Sequence, residues 1–280
     1  MYYVSVLKEV QMKIGIVSLG LIGGSLFKKL SETEHEIYAV TRNEETIKKA
    51  KKYSKNVSAN YQLLKECQIV FVATPINKTL EVLDILENVV SNDCIVLDCA
   101  SVKEFVIKKN RPYKFIGSHP MAGTENSGFD SSFAELFEGA KWVLTPDDDA
   151  CEEDIELVED VIALTGADTI LADAKEHDEA VALISHMPLL LAQSLFNSAK
   201  DNKLALKLAS SGFRDMTRLA MSNLEMAKDM REYNVQNIDT ALNKLYSSID
   251  FLKNTKDLEI FTDIKNTRKS MYSIEGKNNL

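Results

Sequence analysis

Met12-Lys13-Ile14-Gly15-Ile16-Val17, followed directly by Ser18-Leu19-Gly20-Leu21-Ile22-Gly23-Gly24, decides the fold. The first six residues form a short apolar run, the pattern of a strand buried on both faces. The next seven make a glycine-rich turn, and residues 23–30 read as a helix. Such a turn between a buried strand and a helix is where α/β proteins cradle dinucleotides, with the fingerprint G-x-G-x-x-G. Gly20 lets the backbone approach a pyrophosphate, and Gly23 lets the helix lie against the strand. The first helical turn, with Leu21 and Ile22, offers free N–H groups to the anion. Ser18 stands where the fingerprint has its first glycine. Either it costs affinity, or its turn does not need a positive φ.

Working outward, residues 36–40 (EIYAV) read as a second strand and residues 44–53 as a lysine-rich helical segment. Further apolar runs follow at 69–73, 94–98, 115–117 and 142–145. Continuous apolar strands separated by helices predict a parallel sheet covered on both faces, a doubly wound α/β domain over 12–172. Near Asp173 the texture changes. From there to about residue 254 only helical periodicity remains, predicting an all-helical domain over 173–280. Pro188 should kink or restart its helix. Val235, Ile238, Leu242, Leu245, Ile249 and Leu252 recur at spacings of three and four. That stripe must bury against another helix, in this chain or in a second copy. The polar tail after Lys265 reads as frayed.

Composition bounds the function. Lys+Arg 33 against Asp+Glu 42 leaves a charge of −9, and 45% of the 280 residues are hydrophobic. That is ample apolar surface for two folded domains, and the acidic balance argues against nucleic acid as a partner. No uninterrupted apolar run approaches the roughly 18 residues of a membrane span. Residues 1–11 lack a signal peptide's basic start and apolar stretch, so the expectation is a soluble cytoplasmic protein. Met12 opens the first strand, and the residues before it read as an extension or a misplaced start. Cys67, Cys94, Cys99 and Cys151 form no CxxC pair and no metal spacing, which predicts reduced thiols and no metal.

The end of the second strand bears on the cofactor. Val40-Thr41-Arg42-Asn43 lacks the carboxylate that usually holds the ribose hydroxyls in NAD enzymes. A hydroxyl and a guanidinium suit a 2′-phosphate, which favours NADP. If Arg42 merely stacks on the adenine, NAD remains open. Thr74, just past the 69–73 run, is a further candidate at the same edge.

Three polar segments carry candidate chemistry. The first, LDCASVK at 97–103, follows a strand and presents Ser101, which also fits a capping box with Glu104. The second, GSHPMAGTENSG at 117–128, holds His119 extended before Pro120, as a general base or as a structural loop histidine. The third, SSGFRDMTR at 210–218, places Arg214 and Arg218 on one helical face with Asp215 in reach of Arg218. It reads as a carboxylate-binding surface or as a surface ion-pair ladder.

Together with LGLIGGS at 19–25, KWVLTP at 141–146 and EHDEAVALISHMP at 176–188, these segments resemble the prephenate/arogenate dehydrogenase family of tyrosine biosynthesis. The resemblance runs from Met12 to about Tyr233. It implies a Rossmann-type domain followed by a helical dimerisation domain, and it turns the apolar stripe into a homodimer interface. It also implies oxidative decarboxylation of a small-molecule substrate. Hydride leaves the ring carbon bearing the hydroxyl while a base takes the hydroxyl proton, and loss of CO2 makes the ring aromatic. In that scheme His119 is the base, and Ser101 bonds the same hydroxyl or orients the imidazole. Arg218 holds a substrate carboxylate, while Arg214, Asp215, Thr124, Glu125 and His186 complete or gate the pocket. Asp178 matches a position able to pair with Arg214. One departure stands out: Leu189 occupies a site where many prephenate-using members have a second histidine. Prephenate is the first expectation and arogenate the alternative. A β-hydroxyacid dehydrogenase would rely on a helical lysine instead. A non-catalytic dinucleotide sensor would show gaps at Ser101, His119 and Arg218.

Overall fold

The computed structural model describes residues 11–107, 110–124, 126–147 and 150–275. The opening run forms β1 (Lys13–Val17), and the glycine turn leads into α1 (Leu21–Leu30), two residues earlier than the sequence suggests. Then come β2 (Glu36–Val40), α2 (Glu44–Ala50), β3 (Val57–Ser58), β4 (Ile69–Val72), α3 (Ile76–Leu86) and β5 (Ile95–Asp98). β6 (Lys114–Pro120), β7 (Lys141–Pro146), α4 (Glu152–Ala163) and β8 (Asp168–Leu171) complete the domain. The strands make one eight-stranded sheet in the order β3-β2-β1-β4-β5-β6-β7-β8.

Both faces are covered because successive strand residues point opposite ways. Ile14, Ile16 and Phe71 join Leu26, Phe27 and Trp142 on one face. Val17, Val70, Val72 and Val96 join Leu83 and Leu86 on the other. The sheet is not wholly parallel, since β7 runs antiparallel to β6. Among the described residues the connection between them carries only short 3-10 turns, and without a crossover helix the chain returns antiparallel. The winding reverses between β1 and β4, so a crevice opens beyond their C-terminal ends.

Asp173 follows the last strand. Its side chain accepts from the Lys175 and Glu176 N–H groups and caps α5 (Ala174–Val181). A π-helical turn (Ala182–His186) joins α5 to α6 (Met187–Ala199). The helix passes through Pro188 without stopping, because the wider turn just before it accommodates the missing N–H and the ring. The continuous 26-residue run Ala174–Ala199 is long and apolar enough, by length and composition, to cross a membrane. Charged residues such as Lys175, Glu176, Asp178 and Glu179 interrupt its apolar stretch. Within this run His177, Asp178 and His186 are buried and hydrogen-bonded to other parts of the chain.

The remaining helices are α7 (Lys203–Leu208), α8 (Ser211–Thr217), α9 (Leu224–Tyr233), α10 (Val235–Asn254) and α11 (Glu259–Glu275). The expected frayed tail is helical through Glu275. The stripe on α10 divides: Ile238 is buried with Ala182 and Ala241, and Leu242 packs beside them. Further along, Ile249 and Phe251 are about half exposed.

Candidate active site

The cofactor turn is built from strain and close approach. Ser18 adopts φ 72°, alone among the described non-glycine residues in having positive φ, while its N–H bonds the Val40 carbonyl. The turn therefore does need a left-handed residue, against the reading that it does not. A Cβ on Gly23 would lie 2.0 Å from the Ser18 carbonyl oxygen, so only glycine fits there. Gly20 is the N-cap of α1 and supplies no side-chain cap, and a Cβ there would meet open space. The N–H groups of the first turn, including Leu21 and Ile22, thus lack a side-chain acceptor beside a clear approach.

Next to this turn a cavity of about 310 Å³ is lined by Ser18, Thr41, Arg42, Thr74, Lys78 and Glu81, among others. Glu81 is paired with Lys78 at 3.2 Å and lies 3.9 Å from Arg42. The Thr74 hydroxyl lies 3.3 Å from that of Thr79. Uncapped helix N–H groups, room at Gly20 and an adjoining cleft fit a dinucleotide.

Ser101 and His119 belong to neighbouring strands at the same sheet edge. Ser101 follows β5 and His119 lies near the end of β6, which runs parallel to β5. Beneath them is a buried ionic brace. Lys103, fully buried, donates to Asp98 and, at 2.6 Å, to the Ser118 carbonyl. Asp98 also accepts from the Ala100 and Ser118 N–H groups, at 2.9 and 3.0 Å. The Ser118 hydroxyl donates to the Asp98 carbonyl and accepts from the Trp142 indole at 3.1 Å. The residue preceding His119 is thereby tied to the loop that carries Ser101.

The capping box between Ser101 and Glu104 does not form. No helix begins there, and the acceptor for the Glu104 N–H is Asp178, at 2.9 Å, reaching over from α5. The other Asp178 oxygen takes the Lys103 N–H at 2.7 Å. The Ser101 Oγ is left buried with no hydrogen-bond partner among the described residues. Asp178 therefore does not pair with Arg214. It also bonds the His177 Nδ1 at 2.8 Å, and the His177 Nε2 lies 2.9 Å from the His119 Nδ1.

His186 is buried nearby. Its Nδ1 lies 3.1 Å from the Asn234 amide, which donates to the Asp178 carbonyl, while its Nε2 has no partner among the described residues. Burial pushes the His186 pKa down to about 4. Burial, then the neighbouring His177, Lys103 and His186, hold His119 well below the ordinary histidine value. At neutral pH it is an uncharged imidazole.

Arg214 and Arg218 lie elsewhere. With Asp215, Phe196, Thr217, Ala220 and Met221 they line a mostly apolar cavity of about 440 Å³. Neither His119 nor Ser101 nor His186 borders it. Asp215 pairs with Arg214 at 3.3 Å rather than with Arg218. Thr124 is exposed, with its hydroxyl accepting the Asn126 N–H, and Glu125 lies outside the described residues. Leu189 is a core residue, packed with Ala227 and Met230. Sequence reasoning passed over Asp98, Lys103, His177 and Asn234. The adjacent His177-Asp178 pair inside an otherwise helical segment was the available signal.

Residues 25–171 match a sequence profile described as "Prephenate dehydrogenase, nucleotide-binding domain", and residues 173–262 match "Prephenate dehydrogenase, dimerization domain". The prephenate dehydrogenase of Lactococcus lactis subsp. cremoris is 34% identical over 222 residues, covering 74% of this chain. The chain spans 61% of that relative's length. The crystal structure of Synechocystis arogenate dehydrogenase superposes with TM-score 0.80 at 32% identity, covering 94% of this chain and all of that one. Prephenate dehydrogenase from A. aeolicus, in complex with hydroxyphenyl propionate and NAD+, gives TM-score 0.84 at 27% identity over 94% of this chain and 99% of its own. Matched by both profiles from residue 25 to residue 262, the chain belongs to the prephenate dehydrogenase family.

Proposed function

We propose that this protein is a nicotinamide-dependent prephenate dehydrogenase, which oxidises and decarboxylates prephenate to 4-hydroxyphenylpyruvate. One observation carries the reading. The His119 imidazole near the end of β6 and the unpartnered Ser101 Oγ just past the end of β5 stand at the edge where the dinucleotide cleft opens. The bound dinucleotide supplies the hydride acceptor. His119 takes the proton of the ring hydroxyl, a task suited to an imidazole uncharged at working pH. The Ser101 hydroxyl bonds the same oxygen, which would satisfy a buried group that otherwise has no partner. The family resemblance assigns Arg218, which makes no ion pair among the described residues, to a substrate carboxylate, although the cavity it lines in this chain is not bordered by His119 or Ser101. The apolar face around Arg218 and along α10 is covered by a second copy, giving a homodimer through the helical domain.

The cleft favours NADP over NAD. Thr41 and Arg42 follow β2, where a ribose-binding carboxylate would otherwise sit, and the nearest carboxylate in the cavity, Glu81 on α3, is already paired with Lys78. Arogenate is the second reading, because Leu189 is packed in the core and offers no imidazole to a keto-acid side chain. A matrix of NADP and NAD against prephenate and arogenate tests all three choices. The highest kcat/KM is expected for NADP with prephenate. A maximum with arogenate moves the substrate assignment, one with NAD removes the Arg42 argument, and no turnover in any cell overturns the function.

A further inference from the structure

Asp178, His177 and His119 form a chain of hydrogen bonds whose direction can be read from one end. The Asp178 Oδ1 already accepts the Lys103 N–H at 2.7 Å, and its Oδ2 accepts the Glu104 N–H at 2.9 Å. Both oxygens are therefore acceptors, and the Nδ1 of His177, 2.8 Å from Oδ1, must be the donor. Taking His177 as a neutral imidazole, a proton on Nδ1 leaves its Nε2 bare. That bare nitrogen lies 2.9 Å from the Nδ1 of His119, which must then carry the proton. By the same rule the His119 Nε2 is left with its lone pair. The rings meet edge to face, at 78° with centroids 5.1 Å apart, so the link also limits rotation of the imidazole.

We propose that His177 is a positioning residue for His119: anchored by Asp178, it holds the His119 proton on Nδ1 and presents Nε2 as the proton acceptor. The proposal rests on His119 being the base of the function given above. It adds that the competent form of the base is selected by a second histidine from the helical domain. Neither His177 variant discussed below alters the cofactor turn or Arg218.

Two arms test it. The first needs no turnover: long-range 1H–15N correlation spectra of the 15N-histidine-labelled full chain, at a pH where His119 is neutral. Nδ1 protonated and Nε2 bare is expected at both His119 and His177. A His119 proton on Nε2 overturns the proposal. The second arm compares His177→Asn and His177→Gln. Asparagine can place a donor near the former Nδ1 but cannot reach His119, whereas glutamine can place an acceptor near the former Nε2. His177→Asn should lower kcat by roughly ten- to a hundred-fold with KM for substrate and cofactor within about two-fold. His177→Gln should recover several-fold of that loss. An unchanged kcat in His177→Asn, or equal losses in the two variants, overturns it. If the asparagine variant does not fold, as judged by its thermal transition, the spectrum of the wild-type chain decides. A wild-type enzyme that turns nothing over would refute the proposed function and leave the spectroscopic arm intact.

Discussion

Ser18 is held at φ 72° by its place in the turn and by its N–H bond to Val40. A β-carbon in that region costs about 1 kcal/mol that glycine does not incur. Ser18→Gly should therefore raise the melting temperature by roughly 2–4 °C, without weakening nucleotide binding. A lower melting temperature, read by calorimetry, would mean the hydroxyl contributes more than the strain removes. His119 gives a second prediction. Its pKa is depressed, and the base works unprotonated, so kcat/KM should stay level as pH falls through 6.5 and decline only below that. An acidic limb centred at 6.5 would mean His119 is solvated in the working enzyme. At this scale the sequence showed which residues carry chemistry but not how they are held. Ser18 in a degenerate fingerprint fits either backbone conformation, and nothing local to Asp178 reveals partners 75 and 74 residues away.

Among the elements, the loop from β5 to Lys103 is the best-braced part of the site. Removing the ammonium would leave Asp98 buried with only the Ala100 and Ser118 N–H groups. Lys103→Met should destabilise the protein by about 3–5 kcal/mol in urea titration. A loss under 1 kcal/mol would show that water replaces the lysine. The 211–221 segment presents the opposite situation, exposed and thinly paired. Arg218→Ala should raise the substrate KM at least about ten-fold by removing a charge-assisted contact. In the ion-pair-ladder reading, KM stays unchanged and stability moves by about 0.5 kcal/mol or less. β1, β4 and β5 were legible because each is an apolar run buried on both faces, and β2 because Ile37, Ala39 and Val40 are buried around a half-buried Tyr38. β8 was not, since Ile170 and Leu171 are about half exposed and its burial pattern gives no alternation to read. The antiparallel turn of β7 depends on the absence of a helix in the 121–140 connection. Apolar periodicity carries no such information.

At the level of the whole molecule, the helical domain leaves Leu208, Met221 and Leu258 more than two-thirds exposed, beside the half-exposed Ile249 and Phe251. Exposed apolar side chains of this number are what the proposed homodimer would cover. Ile249→Asp should shift the sedimentation coefficient toward that of a single chain, with the far-ultraviolet spectrum unchanged. A variant that sediments like the wild type would place the contact elsewhere. The uneven burial along the α10 stripe, with Ile238 buried and Val235 and Ile249 half exposed, could not be read from its spacing, which alternates three and four throughout.

The junction at Asp178 has a consequence for motion. Parting α5 from the 101–104 loop would strip two backbone N–H groups of their acceptor and unhitch His177 in the same movement. Such an opening costs several hydrogen bonds at once. In the proposed reaction, nucleotide and product are therefore expected to exchange without this seam parting.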